Sequence, residues 1–155
     1  MWRTVFPTIP CAINLRPSIL DDLGLVATLS WFVREFGSIY RDIEVNVELL
    51  ATESDVLEAY RLPVFRVVQE AMNNVAKHSK ANQVIVALRK TDQTIQLVVR
   101  DNGHGFMVED TLFRKRARRG LGLDSMKERI ELSGGSFTIK SSDSGTGIQA
   151  SWPLS

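Results

Sequence analysis

The chain has 155 residues, of which 44% are hydrophobic and 24% charged, and its formal net charge is +1 at pH 7. These values fit one soluble globular domain and give no overall field that would attract nucleic acid or an anionic membrane. The single cysteine, Cys11, excludes an internal disulfide and a multi-cysteine zinc site. We therefore expect a cytoplasmic domain that does not itself insert into a membrane, whether or not its parent protein is anchored in one.

The N-terminal part predicts a lead segment, a helix and a strand. The first 17 residues contain three prolines and no sustained hydrophobic period, which predicts an extended lead before a domain at residues 18–155. Apolar residues then recur at helical spacing from Ser18, a candidate N-cap, to Gly37, which we expect to end the helix. Residues 43–49 alternate between apolar and polar, which predicts a half-buried strand.

The rest of the chain predicts a sheet covered on one side. A second long helix is expected from Pro63, which suits a first helical turn, to about His78. Alternation at residues 84–88 and 95–99 predicts a hairpin. The later predicted elements are a helix at 121–132 and a strand pair at 137–139 and 148–152. Because there are too few helices to cover both sheet faces, the fold class is a two-layer α/β sandwich with a mixed sheet and helices on one face.

Residues 101–120 are the most informative stretch. Asp-Asn-Gly-His-Gly-Phe at 101–106 follows a strand pattern, and Gly-Leu-Gly-Leu at 120–123 begins a helix pattern. Between them lie five cations in the six residues 114–119. A structureless connection this long is often a functional lid, and flanking glycines suit a hinge that closes over an anionic ligand. The alternatives are a solvated loop or a nucleic-acid patch, and the near absence of aromatic residues argues against the patch.

The glycine stretches also suggest contacts with a nucleotide. The Asp101 carboxylate accepts hydrogen bonds only, so it could hold an exocyclic amine such as that of adenine. Gly103 and Gly105 would let the backbone approach a flat ring, although an Asn-Gly turn leaving a strand explains them equally. Gly120 and Gly122 at a helix start would free backbone amides to meet phosphate.

The second predicted helix carries a polar face. Glu70, Asn74 and His78 follow one another at i, i+4 spacing. The amide oxygen of Asn74 would suit Mg²⁺ shared with phosphate oxygens and waters. Glu70 could hold a metal-bound water or take a proton, while Lys77 and His78 could meet phosphate. The alternative is an ordinary solvent face, but adjacent Asn73 and Asn74 are poor helix formers, which favours a functional use.

Taken in order, these stretches resemble the ATP-binding catalytic domain of sensor histidine kinases, in the GHKL ATPase superfamily. The matching motifs are an N box at 69–79, a G1 box at 101–106, a G2 box at 120–123 and a glycine-threonine motif at 145–147. The motif sequences are most similar to those of the nitrate-sensor and lipid-fluidity-sensor branch. In that branch, a segment like residues 15–25 joins the dimerisation helices to the kinase domain, and one like 126–129 lies in the helix after the lid.

The resemblance implies a Bergerat-type sandwich that binds ATP and magnesium between the N-box helix and the lid. It implies that Asn74 ligates magnesium with assistance from Glu70, and that Asp101 contacts the adenine amine. The other implied nucleotide-binding residues are Lys77, His78, Gly103, Gly105, Gly120, Leu121, Gly122 and Thr146.

One departure limits what the chain can do alone. The family phosphorylates a histidine on a paired-helix dimerisation domain, whereas the two histidines here, His78 and His104, lie inside nucleotide motifs. We therefore expect the chain to be the ATP-binding half of a kinase, which needs a histidine-bearing partner domain and cannot autophosphorylate in the usual way. A response regulator would be an indirect partner. A related serine kinase is disfavoured by the 15–25 segment and the long basic lid. A non-catalytic adaptor is disfavoured because Glu70, Asn74, Asp101 and all four lid glycines are intact.

Overall fold

The computed structural model describes residues 17–103 and 122–154. Its elements are α1 (Pro17–Leu23), α2 (Leu25–Ile39), β1 (Glu44–Leu49), α3 (Glu58–Asn74), β2 (Gln83–Lys90), β3 (Thr94–Asp101), α4 (Leu123–Leu132), β4 (Ser136–Ser142) and β5 (Gly145–Pro153). The strands form one sheet in the order β1-β2-β3-β5-β4, in which β1 and β2 are parallel and the other pairs antiparallel. The predicted mixed sheet and α/β fold class are confirmed.

The core lies between one face of the sheet and the helices. Ile95, Leu97 and Val99 alternate along β3 and are buried, whereas Arg100 on the opposite face is exposed. The helices contribute apolar side chains to the same core, among them Leu29, Phe32, Phe36, Val64, Val68, Met72, Met126 and Ile130. None of the described helices has the length and apolar character needed to cross a bilayer.

A fully buried tryptophan joins three elements. The Trp152 ring of β5 packs against Tyr60 of α3 with 6.0 Å between ring centroids. The indole Nε1 donates a hydrogen bond to the Ser133 hydroxyl just after α4 at 2.7 Å, and the Tyr60 hydroxyl donates to the Pro153 carbonyl at 2.7 Å. These contacts fix the start of α3 and the end of α4 against the last strand.

The predicted helix from Ser18 to Gly37 is wrong in two respects. Gly24 interrupts it with φ 86° and ψ 171°, and Gly37 lies inside α2, which continues to Ile39. The break follows from a distant side chain, because the Glu53 carboxylate accepts hydrogen bonds from the first two amides of α2, both at 2.9 Å. It thereby caps the helix, and Arg61 pairs with it at 3.0 Å.

The second predicted helix also differs at both ends. α3 begins at Glu58, ahead of Pro63, because the contacts of Tyr60 hold the preceding turn in place. It ends at Asn74 and continues as a π-helical turn, Val75–Ser79, rather than as an α-helix to His78. Such π turns occur frequently at functional sites.

Candidate functional site

Asp101 lies at the end of β3 and continues the inward-facing alternation of that strand. Its side chain is half-buried, and its register partner on β5 is Thr146. The Asp101 Oδ1 accepts the backbone N–H of Gly103 at 2.9 Å. Burial raises the pKa of the Asp101 carboxyl, and hydrogen bonds from the backbones of Gly103 and Thr146 oppose that rise. The strand end therefore presents a partly desolvated acceptor toward the helix side of the sheet.

The turn before Thr146 requires glycine for a steric reason. Gly145 has φ 137°, and a Cβ built there would overlap the carbonyl oxygen of Asp101. The Thr146 hydroxyl in turn lies 2.9 Å from the Ser141 hydroxyl. The predicted glycine-threonine motif is thus placed directly against Asp101, with Thr146 held from both neighbouring strands.

Asn102 ties this strand end to the end of the polar helix. Its Oδ1 accepts backbone N–H groups from Asn82 at 3.1 Å and Gln83 at 3.0 Å, and its Nδ2 donates to the Asn82 Oδ1 at 2.7 Å. Those residues follow the π turn Val75–Ser79 closely in the chain. The bonds therefore hold the chain just after the helix that carries Asn74 against the strand that ends in Asp101. From the sequence, Asn102 is interpreted only as part of a turn.

Glu70 and Gly122 are in contact across the site. Gly122 precedes α4 with φ 68°, and a Cβ built there would lie 2.6 Å from the Glu70 Oε1. Glu70 and Asn74 lie one turn apart on α3, and both are half-buried. The structure therefore brings the start of α4 onto the polar face of α3.

Some predicted site residues cannot be placed. Gly105, Gly120 and Leu121 lie outside the described residues, as does the side chain of His78. Lys77 is exposed. The described part of the site thus consists of Glu70 and Asn74 on α3, Gly122 before α4, and the group formed by Asp101, Gly103 and Thr146.

Replacing Gly122 with alanine should disturb both stability and the site. The left-handed backbone costs an L-residue about 1–2 kcal/mol, and the new methyl group would also displace Glu70. Gly134 provides a matched control because it has φ 94° but nothing within 4 Å of a built Cβ. We expect both variants to lose stability in urea denaturation, and only Gly122→Ala to weaken ATP binding by about tenfold or more. Equal ATP affinities in the two variants would show that the contact between Gly122 and Glu70 does not contribute to ATP binding.

Comparison with known proteins finds histidine kinases and a family of related ATPases among the matches. A family model described as histidine kinase-, DNA gyrase B- and HSP90-like ATPase matches residues 59–155. The signal transduction histidine-protein kinase/phosphatase DegS of Bacillus subtilis is 32% identical over 143 residues, which are 90% of this chain and 37% of DegS. The signal transduction histidine-protein kinase/phosphatase UhpB of Salmonella typhimurium is 34% identical over 140 residues, which are 90% of this chain and 27% of UhpB. The chain thus spans about a third of the length of these relatives.

Solved structures share the fold. The histidine kinase domain of the Erythrobacter litoralis EL346 blue-light activated histidine kinase superposes with a TM-score of 0.69 at 19% identity, over 84% of this chain and 61% of that one. The catalytic domain of histidine kinase ThkA gives 0.62 at 18% identity, over 81% and 92% of the two chains. The family model and the curated relatives confirm the resemblance predicted from the motifs, and the solved structures confirm the fold. The narrower branch stays a prediction.

Proposed function

Because the chain belongs to the family of histidine kinase-, DNA gyrase B- and HSP90-like ATPases, we propose that it is the catalytic half of a sensor histidine kinase. It binds ATP and passes the γ-phosphoryl group to a histidine on a separate dimerisation domain. The observation that carries this proposal is the packing of Gly122 on Glu70, which joins the two motif-bearing elements on either side of the glycine-rich segment. Because this reaction uses ATP, we propose that the domain works in the cytoplasm.

The nucleotide is proposed to lie with adenine at Asp101 and its phosphates toward Asn74. The half-buried Asp101 carboxylate would accept a hydrogen bond from the exocyclic amine, with Gly103 and Thr146 beside the ring. At the other end, Lys77 and the amides near Gly122 would contact phosphate. Gly105 is proposed to lie beside the adenine ring, and further phosphate contacts are proposed for His78, Gly120 and Leu121.

Magnesium is proposed to accompany ATP. Within residues 17–103 and 122–154, no three histidine, cysteine or acidic side chains are grouped to hold a metal. The oxygen donors that Asn74 and Glu70 offer fit Mg²⁺, which commonly uses one or two protein oxygens together with substrate phosphates and waters. Asn74 would supply the amide oxygen, and Glu70 would orient a water. The ion, when bound, neutralises charge on the phosphate oxygens.

Phosphoryl transfer then requires an acceptor nitrogen from outside the chain. A nitrogen of the acceptor imidazole attacks the γ-phosphorus, a P–N bond forms, and the bond to the β,γ-bridging oxygen breaks, so that its electron pair leaves with ADP. The other imidazole nitrogen releases its proton, for which Glu70 is our candidate base. The response regulator would act later, by taking the phosphoryl group from that histidine.

Two measurements test this function. In a calorimetric titration with Mg-ATP we expect saturable binding, and no binding at millimolar nucleotide would contradict the proposal. With labelled ATP and the histidine-bearing segment encoded by the parent gene, purified separately, we expect an acid-labile phosphorylated product. An acid-stable product would indicate the serine-kinase alternative. Binding without any transfer would indicate an adaptor.

A further inference from the structure

A polar groove separates α3 from α4 beside the proposed nucleotide site. Its volume is about 510 Å³. The lining residues are Arg66, Gln69, Glu70, Asn73 and Lys77 from the α3 side, and Ser125, Met126 and Arg129 from α4. Three of these side chains are cationic and one is anionic. We call this cavity the arginine groove.

Two arginines from different helices share the arginine groove. The half-buried Arg66 is oriented by its own helix, because its Nη1 donates a hydrogen bond to the buried Gln69 Oε1 at 2.9 Å. Burial, and next the positive charge of Arg129, lower the pKa of Arg66. Like charges held close together repel, and an anion bound between them offsets that cost. The groove is therefore suited to carboxylate or phosphate oxygens, which arginine contacts in a bidentate way.

Arg66 lies at the end of the arginine groove that is farther from the proposed phosphate site. Asn74 follows Arg66 by eight residues, which is roughly 12 Å along a helix axis at the α-helical rise. The near end of the groove, at Glu70 and Lys77, adjoins the proposed nucleotide site. Its far end, at Arg66, lies toward the start of α3 and away from Asn74. An anion at the far end is therefore a group other than the phosphates held at Asn74.

Apolar side chains flank the same surface. Leu132, at the end of α4, is 81% exposed and lines a shallow cavity of about 310 Å³ with Ser125, Glu128 and Arg129. On α3, Leu62 lies one turn before Arg66 and is 41% exposed. Cations with exposed leucines beside them suit an amphipathic helix that carries acidic residues, which is a common way for a helix to bind in a groove.

Resting on the proposed function, we infer that the arginine groove docks acidic side chains of the helical segment that bears the acceptor histidine. The three cations that line the groove favour an occupant with acidic side chains, and the groove opens beside Glu70, where we propose that the acceptor arrives. The chain also spans only 37% of DegS, so a relative of this kind has ample additional length for such a segment. Arg66 and Arg129 are thus positioning residues that bring the acceptor to the γ-phosphate.

The test compares two neutralised cations on the same helix. Arg129→Gln removes one of the three cations that line the groove, while Lys127→Gln removes another exposed cation of α4 that does not line it. Initial rates of phosphorylation are measured against the concentration of the separately purified histidine-bearing segment, at saturating Mg-ATP. We expect Arg129→Gln to raise the half-saturating concentration about tenfold, with the rate at saturation and the ATP affinity changed less than about twofold. Lys127→Gln should match the wild type.

Further arms separate the possible outcomes. Arg66→Gln should act in the same direction as Arg129→Gln, and added salt should raise the half-saturating concentration more for wild type than for Arg129→Gln. Suppose that Arg129→Gln lowers ATP affinity tenfold and leaves the half-saturating concentration of the histidine-bearing segment unchanged. The groove would then bind the phosphates of ATP, and the inference would be overturned. The inference is also overturned if neither arginine variant changes the half-saturating concentration of the histidine-bearing segment. Absence of transfer in the wild-type protein would instead overturn the proposed function, and the inference with it.

Discussion

Replacing Asn74 with alanine should reduce phosphoryl transfer by about 100-fold or more, because it removes the amide oxygen proposed to hold magnesium against the phosphates. Loss of one group that stabilises developing charge commonly costs about 10²–10³ in rate. Asn74 is the last residue of α3, and alanine is the best helix former. We therefore expect the helix and the π turn to persist, so that the loss reports on the site.

The metal dependence of ATP binding identifies the origin of that loss. In calorimetric titrations, magnesium should tighten ATP binding by the wild-type protein, and Asn74→Ala should bind ATP with similar affinity in magnesium and in a chelator. Asn73→Ala is the matched control, since it removes the same group one residue earlier and should retain the magnesium effect. If Asn74→Ala loses affinity equally with and without metal, Asn74 acts on the nucleotide in some other way. If only Asn73→Ala loses the metal effect, the ligand has been assigned to the wrong asparagine.

The sheet was predictable because its signal is local. Alternation of apolar and polar residues sets which side of a strand is buried, and Ile95, Leu97 and Val99 are buried as their spacing predicts. Helix boundaries were less predictable because distant residues decide them. The break at Gly24 depends on Glu53, which reaches α2 from 28 residues away, and no window around Gly24 contains that information.

The same limit applies to the site. The motifs gave the identities of Asp101 and Thr146, but only strand pairing places them side by side. Asn102 escaped notice because its partners, Asn82 and Gln83, follow a different element. Arg66 lies on a separate helix from the arginine that it faces. Its function can therefore be inferred only after the two helices are packed together.

Replacing Asp101 with asparagine should weaken ATP binding by about 10–100-fold. A hydrogen bond to a charged group contributes about 1.5–3 kcal/mol, and each 1.4 kcal/mol corresponds to a factor of about ten in affinity. The asparagine oxygen can still accept the Gly103 N–H, whereas the full negative charge that we propose receives the adenine amine is lost. Asp92→Asn is the control, because Asp92 is an exposed acid at the other end of the β2–β3 hairpin and should leave ATP affinity unchanged.

The stability of the nucleotide-free protein separates loss of binding from damage to the fold. Burial raises the pKa of Asp101 above its ordinary value of 3.8, so the folded protein holds this proton more tightly than the unfolded chain. Between that ordinary value and the raised folded value, rising pH therefore lowers the wild-type free energy of unfolding, and above this window the loss is constant. Asp101→Asn cannot titrate there, so at neutral pH it should melt at a temperature equal to or above that of wild type. Weaker ATP binding together with a lower melting temperature would mean that Asp101 supports the fold rather than the nucleotide.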